Sequence, residues 1–338
     1  MNRHIAMFAL AAIAVSPCLP AQAQTLKTVR DRGTLICGVN QDLIGFSKPD
    51  GKGGWAGFDV DFCKALAAAI FNDPTKVQYV GLSATARFTA LQSKEIDVLS
   101  RNSTWTMSRE ASLGLSFPVT TYYDGQGFIV TRASGTNSAL ELNGVSACVQ
   151  TDTTNQLNLT DYFKANKIEH QVQTFSVLDE ALKAYDSGNC KTFTADVSQL
   201  HALRLRLAKP ADHVILPEVI SKEPLGPAVR NDDMQWFNIV RWTHFAMVNA
   251  EELGVSSQTI DEALRSEKPD VKRLVGADEG YGEKLGLTKD WAVRIVKLVG
   301  NYGEVFERNV GNKSDLKIAR GLNDLWTRGG IQYAPPVR

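Results

Sequence analysis

The sequence predicts an α/β fold made of two strand–helix units followed by a helical tail. Three observations carry this reading. Strand-like apolar runs alternate with helical patterns over residues 34–100, as in a largely parallel sheet. The alternation resumes after Arg132-Ala-Ser-Gly135 and runs to Pro210. Beyond Gly226-Pro227 helical periodicity replaces it. The length of 338 residues is about twice a ~150-residue domain, so one core is not expected to hold the whole chain.

The elements follow in order. Residues 34–39 read as a strand, and residues 47–54 as a polar, Gly-rich loop. Residues 57–70 place Val60, Phe62, Leu66, Ala67, Ala69 and Ile70 at helical spacing. Asn72-Asp-Pro74 stops that helix, and Val77-Gln-Tyr-Val80 alternates as a strand. Ser83 is a candidate N-cap for a helix reaching Ser93, and residues 96–100 form a third strand. In the second unit, residues 145–149, 171–175 and 190–195 are strands. Residues 154–165, 177–187 and 197–208 are helices, the last two stopped by Gly188-Asn189 and Pro210. In the tail, residues 233–250 form a helix with Trp236, Ile239, Val240, Thr243 and Met247 along one side, and residues 290–302 another.

Composition excludes several function classes. Lys plus Arg and Asp plus Glu both number 37, for a formal net charge of zero. A nucleic-acid binder needs an excess of cations to displace phosphate counterions, and a polybasic membrane-surface protein needs one too. Residues 1–23 read as a secretory signal peptide. Arg3 and His4 open it, Ile5 to Val15 is uninterruptedly apolar, and Ala21-Gln22-Ala23 is a small-x-small cleavage site. The apolar run spans only about 17 Å, short of a bilayer core of about 30 Å. The mature chain is therefore expected to be exported.

Export changes how the cysteines are read. Cys18 leaves with the signal peptide, and Cys37, Cys63, Cys148 and Cys190 remain. An even number in an oxidising compartment suggests two disulfides, with three possible connectivities. Cys37 and Cys63 fall in the first unit, Cys148 and Cys190 in the second, so pairing within each unit is favoured. Each bridge would be worth roughly 3–4 kcal/mol by loop entropy. No CxxC or HExxH occurs, and His170, His201, His213 and His244 share no metal-ligand spacing, so no metal or other cofactor is expected. No GxSxG, GxxxxGK[ST] or GxGxxG occurs either.

Two stretches carry candidate chemistry. In Val98-Leu-Ser-Arg-Asn-Ser-Thr-Trp-Thr-Met-Ser-Arg-Glu110 a strand ends in hydroxyl and amide groups. Thr106 can then cap a short helix with Arg109 in its first turn. Loops at the carboxyl ends of parallel strands are where α/β folds bind ligands. Hydroxyls, free amides and an arginine there suit a carboxylate, although an exposed helix start with a surface arginine has the same spacing. Val149-Gln-Thr-Asp-Thr-Thr-Asn-Gln156 likewise runs from a strand end into a helix N-terminus that would accept an anion. Asp196 ends the strand at 190–195. Local sequence alone favours it as the N-cap of the next helix.

Together these stretches resemble the periplasmic solute-binding proteins of ABC importers for polar amino acids. The resemblance rests on Gly57-Phe-Asp-Val-Asp61, Arg87-Phe-Thr-Ala-Leu-Gln-Ser-Lys-Glu-Ile-Asp97, and Thr106-x-x-Arg109 with Ser116-Phe-Pro118 downstream. Asn102-Ser-Thr-Trp-Thr106, Asn158-Leu-Thr-Asp-Tyr-Phe163, Leu216-Pro-Glu-Val-Ile-Ser-Lys-Glu-Pro-Leu-Gly226 and the helical tail are similar to the general L-amino acid branch of that family. The resemblance implies a type II periplasmic binding protein, with two α/β lobes joined by two crossing segments. Lobe 1 would comprise residues 24–130 and 228–338, and lobe 2 residues 131–227. It further implies that Arg109 clamps the ligand α-carboxylate and that Thr154, with Thr153 beside it, meets the same group. Asp196 would take the α-ammonium, and Asn102 and Thr104 would contact the amino acid backbone. A membrane permease is the implied partner, and the binding protein would be a monomer and not an enzyme.

The sequence departs from that pattern in three places. Asp152 stands where a glycine is common, and Leu43 where many relatives place an aromatic wall, with Asp42 beside it. Asp152 is also the one unusual carboxylate that an alternative reading, an exported prephenate- or arogenate-type dehydratase on the same fold, would have to recruit. A second rival, a sensor module that reports ligand to a membrane receptor, finds no fused signalling domain in this chain.

Overall fold

A computed structural model of the chain describes residues 24–278 and 280–338. The signal-peptide segment, residues 1–23, lies outside the described residues. Among those described, no helix is long and apolar enough to cross a membrane.

The first sheet has strand Leu35–Asn40 at its centre, parallel to Val77–Leu82 on one side and Val98–Leu99 on the other. Helix Phe58–Phe71 packs on it, and twelve of its fourteen residues are buried, so both of its faces are covered. One faces the sheet; the other meets helices Met234–Glu252, Trp291–Leu298 and Tyr302–Asn309 of the tail. Its run of alanines, Ala65, Ala67, Ala68 and Ala69, supplies the small side chains that such close packing needs. A single apolar core therefore contains Leu26, Val39 and Leu66 together with Trp236, Ile295 and Phe306.

The second sheet has the strand order His170–Phe175, Val145–Gln150, Thr192–Asp196, Gln126–Thr131, His213–Ile215. The first three are parallel, and Gln126–Thr131 runs antiparallel to Thr192–Asp196 and His213–Ile215. Separate apolar clusters cover its two faces, one around Phe193 and Leu200, the other around Phe128 and Phe163. Two short strands cross between the sheets. Tyr122–Asp124 enters the second unit and Glu223–Leu225 leaves it, paired antiparallel with Leu225 opposite Tyr122. They run so close that a Cβ on Gly226 would sit 2.1 Å from the carbonyl of Val119.

Both disulfides form within units. Cys37–Cys63 ties the central strand to its covering helix, and Cys148–Cys190 ties two neighbouring stretches of the second sheet.

Three local expectations need correction. The helix expected from Ser83 begins only at Arg87 and ends at Gln92. Ser83 instead accepts the Ala86 amide at 3.1 Å, holding a turn ahead of the helix. The tail helix expected over residues 290–302 is two helices, Trp291–Leu298 and Tyr302–Asn309. Gly300 at φ 109° breaks it, and Asn301 restarts it through a capping box with Glu304. The strands Gln126–Thr131 and His213–Ile215 have no counterpart among the expected elements, and the two crossing segments implied by the resemblance pair as Tyr122–Asp124 with Glu223–Leu225.

Candidate functional site

Both sheets aim the carboxyl ends of their parallel strands at one cleft, narrow enough that its cavity volume is only about 20 Å³. Asn40, Arg101, Asn102 and Thr104 line it from the first sheet, with Arg87 and Arg109 from the helix starts beside them. Gln150, Thr153, Thr154, Asn155, Asp196 and Gln199 line it from the second. All six residues picked out as ligand contacts, Arg109, Asp196, Asn102, Thr104, Thr153 and Thr154, fall on these walls.

Each is positioned by its local sequence. Thr106 caps helix Met107–Leu113 by accepting the Arg109 amide at 3.3 Å. Arg109 then folds back, and its Nη1 donates to the carbonyl of Thr104 at 2.6 Å. Its guanidinium lies 5.0 Å from the centre of the Phe88 ring, a cation–π contact that fixes its plane. Asn102 adopts φ 24°. Its amide donates to Asp59 at 2.8 Å and its side-chain oxygen accepts from Asn40 at 3.0 Å. Burial lifts the Asp59 carboxyl to about 7, against the pull of the Asn102 amide, Arg101 and the Ser100 hydroxyl.

On the opposite wall, Thr153 caps helix Thr154–Ala165 by accepting the Gln156 amide. The first amides of a helix have no partner inside it and carry partial positive charge, so this wall presents donors to the cleft. Asp152 takes φ 59° without capping the helix, and its side chain is not among the cleft-lining groups. Asp196 occupies the N-cap position of helix Val197–Arg204 but makes no cap hydrogen bond. Its carboxylate instead accepts from Asn155 Nδ2 at 2.8 Å. The local preference for a capping role is thus overturned, because the tertiary fold offers a better donor. Burial, then the neighbouring carboxylates of Asp124 and Glu223, raise the Asp196 carboxyl well above the usual range. Neither Arg109 nor Asp196 has an ion-pair partner within 4 Å among the described residues.

Glu223 joins the two walls. Its Oε2 accepts from Thr104 and, at 2.8 Å, from Thr154, while Oε1 accepts from Asn158 at 2.7 Å and Ser221 at 2.7 Å. No local signal marks this role beyond the residue's place in the 216–226 segment. Arg87 and Arg101 also went unassigned, although each follows directly on a strand or opens a helix. Leu43, expected near an aromatic wall position, is buried in the first core and does not reach the cleft. Asp42 is partly buried and outside it too. No group of three or more His, Cys, Asp or Glu able to hold a metal exists among the described residues.

Residues 35–272 match the bacterial extracellular solute-binding proteins, family 3. The chain is 58% identical over 320 residues to the general L-amino acid-binding periplasmic protein AapJ of Rhizobium johnstonii, covering 94% of each. It is 48% identical to the glutamate/glutamine/aspartate/asparagine-binding protein BztA of Rhodobacter capsulatus, over 98% of this chain and 99% of that one. A solved structure of an ABC transporter periplasmic binding protein from Brucella ovis, with glutathione bound, superposes at a TM-score of 0.92 and 56% identity. It covers 94% of this chain and 100% of that one.

Proposed function

The chain belongs to family 3 of the bacterial extracellular solute-binding proteins, and from that premise we propose that it captures a free L-amino acid between Arg109 and Asp196. The observation that carries this is the placement of a guanidinium and a carboxylate, neither with an ion-pair partner among the described residues, on opposite walls of one cleft. Arg109, the Thr154 helix N-terminus and the hydroxyls of Thr153 and Thr154 take the α-carboxylate. Asp196 takes the α-ammonium, and Asn102 and Thr104 contact the ligand backbone. A zwitterion then bridges both lobes, whose first division falls near residue 125 and not at 130, because Gln126–Thr131 is a strand of the second sheet, and only the closed arrangement satisfies both of its charges.

The protein is the amino acid-binding component of an ABC importer, working in the periplasm. It reaches that compartment by cleavage after Ala23, acts as a monomer, and hands its ligand to a membrane permease driven by ATP hydrolysis on a separate subunit. Its relatives are transport proteins, and the Asp152 side chain stays off the cleft wall. Both favour capture over the dehydratase reading.

A thermal-shift screen with the twenty L-amino acids tests this. A ligand at a hundred times its Kd adds about 2.7 kcal/mol to native stability, so at least one amino acid raises Tm by several degrees. If none does, the reading is wrong.

A further inference from the structure

Gln126 begins the strand Gln126–Thr131, with only Gly125 between it and the crossing strand Tyr122–Asp124. Its side chain is fully buried, yet it is not among the groups that line the cleft. A buried side-chain amide is costly unless its polar atoms are paired. Here only one end is. Nε2 donates to the backbone carbonyl of Asn155 at 2.9 Å and to the Thr194 hydroxyl oxygen at 2.8 Å. Oε1 is buried with no hydrogen-bond partner among the described residues. A methionine of like size would bury without that cost, so the donor end is what the position retains.

The neighbours fix which way the amide points. Thr194 spends its one hydroxyl proton on the Gly127 carbonyl at 2.7 Å, so toward Gln126 it only accepts. The Asn155 carbonyl only accepts as well. A flipped amide would turn its own oxygen on two acceptors, so Nε2 is the end that lies between them. Asn155 in turn leads to the cleft. It is the second residue of helix Thr154–Ala165, and its Nδ2 donates to Asp196 at 2.8 Å. Asp196 lies directly opposite Gln126 in the antiparallel strand pair, and the Val197 amide donates to the Gly125 carbonyl at 2.8 Å. Backbone and carboxylate of Asp196 are therefore both framed by residues 125, 126 and 155. Burial and the charges of Asp124 and Glu223 disfavour the ionised carboxylate there, and the Asn155 bond opposes them.

We propose that Gln126 is a positioning residue for ligand capture: by holding the Asn155 backbone it aims Asn155 Nδ2 at Asp196, and so keeps that carboxylate turned toward the ligand ammonium. This rests on the Arg109–Asp196 clamp proposed above. Without the relay, Asp196 is free to fold back onto helix Val197–Arg204, whose N-cap position it occupies without bonding. The relay serves only one of the ligand's two α-groups. Its loss therefore weakens recognition of the ammonium and leaves the carboxylate end at Arg109 untouched.

Calorimetry with an amino acid and its 2-hydroxy analogue tests this, because the two differ only at the ammonium. The probes are L-glutamate with 2-hydroxyglutarate, or whichever L-amino acid leads the thermal screen with its own 2-hydroxy acid. The wild type binds the amino acid at least a hundredfold more tightly. In Gln126→Met that ratio shrinks at least tenfold, while affinity for the hydroxy acid changes less than threefold. Gln126→Asn keeps the amide but draws it one methylene back from the Asn155 carbonyl; it shrinks the ratio too and serves if Gln126→Met does not fold. Asn155→Ala has the same effect, and the double variant is no worse than either single one, because the two residues act in series. Equal losses for amino acid and hydroxy acid, or losses that add in the double variant, overturn the relay while leaving the clamp intact. A wild type that binds both probes equally, or no amino acid at all, would instead sink the clamp and the relay with it.

Discussion

Asn323 holds the peptide of Tyr123 from both sides. Its Oδ1 accepts the Tyr123 amide at 2.7 Å, and its Nδ2 donates to the Tyr123 carbonyl at 2.9 Å. A side-chain amide thus takes the place of a neighbouring strand on one of the two segments that cross between the lobes. Gln332 and Tyr302 add donors to the carbonyl of Thr121, two residues earlier. The helical tail is therefore a brace on the crossing strand as well as a cover for the first core. Asn323→Ala leaves two backbone groups of Tyr123 without partners, at about 1–3 kcal/mol each if they stay buried. Urea titration should show a loss of at least about 2 kcal/mol; a loss below about 0.5 kcal/mol means that water replaces the amide freely.

Glu223 should matter for closure. Thr104 and Thr154 stand on opposite walls with their hydroxyls 3.4 Å apart, and both donate to its carboxylate. These bonds coexist only when the walls are together. Glu223→Ala removes them from the closed state and costs the open state less. Ligand affinity should fall about tenfold, or about 1.4 kcal/mol, without loss of the one-to-one stoichiometry. Small-angle scattering of the variant with ligand should show a less compact particle than the wild type. Unchanged affinity would assign Glu223 to packing alone.

Binding should weaken in acid. In the empty cleft, burial and the carboxylates of Asp124 and Glu223 hold the Asp196 carboxyl above its usual range, with Arg109 opposing them. A ligand ammonium requires the ionised form. Where Asp196 is protonated before binding, it must give up that proton as the ligand enters. Affinity therefore falls as pH drops through the empty-cleft pKa, and calorimetry in buffers of different ionisation enthalpy should detect proton release. Asp196→Asn should bind weakly at every pH and release none.

Acid should also cost stability through His244. The ring is buried beside Tyr302, and its Nε2 donates to Gln332 Oε1 at 3.0 Å. Burial depresses its pKa from 6.5 to about 4. The unfolded chain thus takes up a proton near pH 6.5 that the folded chain refuses until about 4. Stability falls across that window, by about 3 kcal/mol in all. His244→Gln should be less stable at pH 7 but lose about that much less between pH 7 and 4.5. Equal acid losses in both proteins would place the acid sensitivity elsewhere.

The two α/β units and the strand-end stretches were legible in the sequence, because periodicity, turn residues and strand-end motifs are local signals; the disulfide pairing followed from the two-unit layout, and the six cleft residues came from the family resemblance. What escaped were features fixed only by assembly. The crossing strands Tyr122–Asp124 and Glu223–Leu225 are three residues each and about a hundred residues apart, so neither carries a pattern of its own. Arg87 reads as an ordinary helix-start residue until Asp152, 65 positions away, is brought to its guanidinium. Asp196 illustrates the reverse case. Its N-cap position was readable, but the donor that draws its carboxylate off the cap, Asn155, lies 41 residues upstream.

The Arg109–Asp196 clamp is tested most directly by a calorimetric cycle. The best ligand from the thermal screen and its decarboxylated amine are titrated into wild type and Arg109→Ala. The wild type should bind the intact amino acid at least a hundredfold more tightly than the amine. In Arg109→Ala that ratio should shrink at least tenfold, because residue and α-carboxylate act as a pair. An undiminished ratio in Arg109→Ala would contradict the assignment of the α-carboxylate to Arg109.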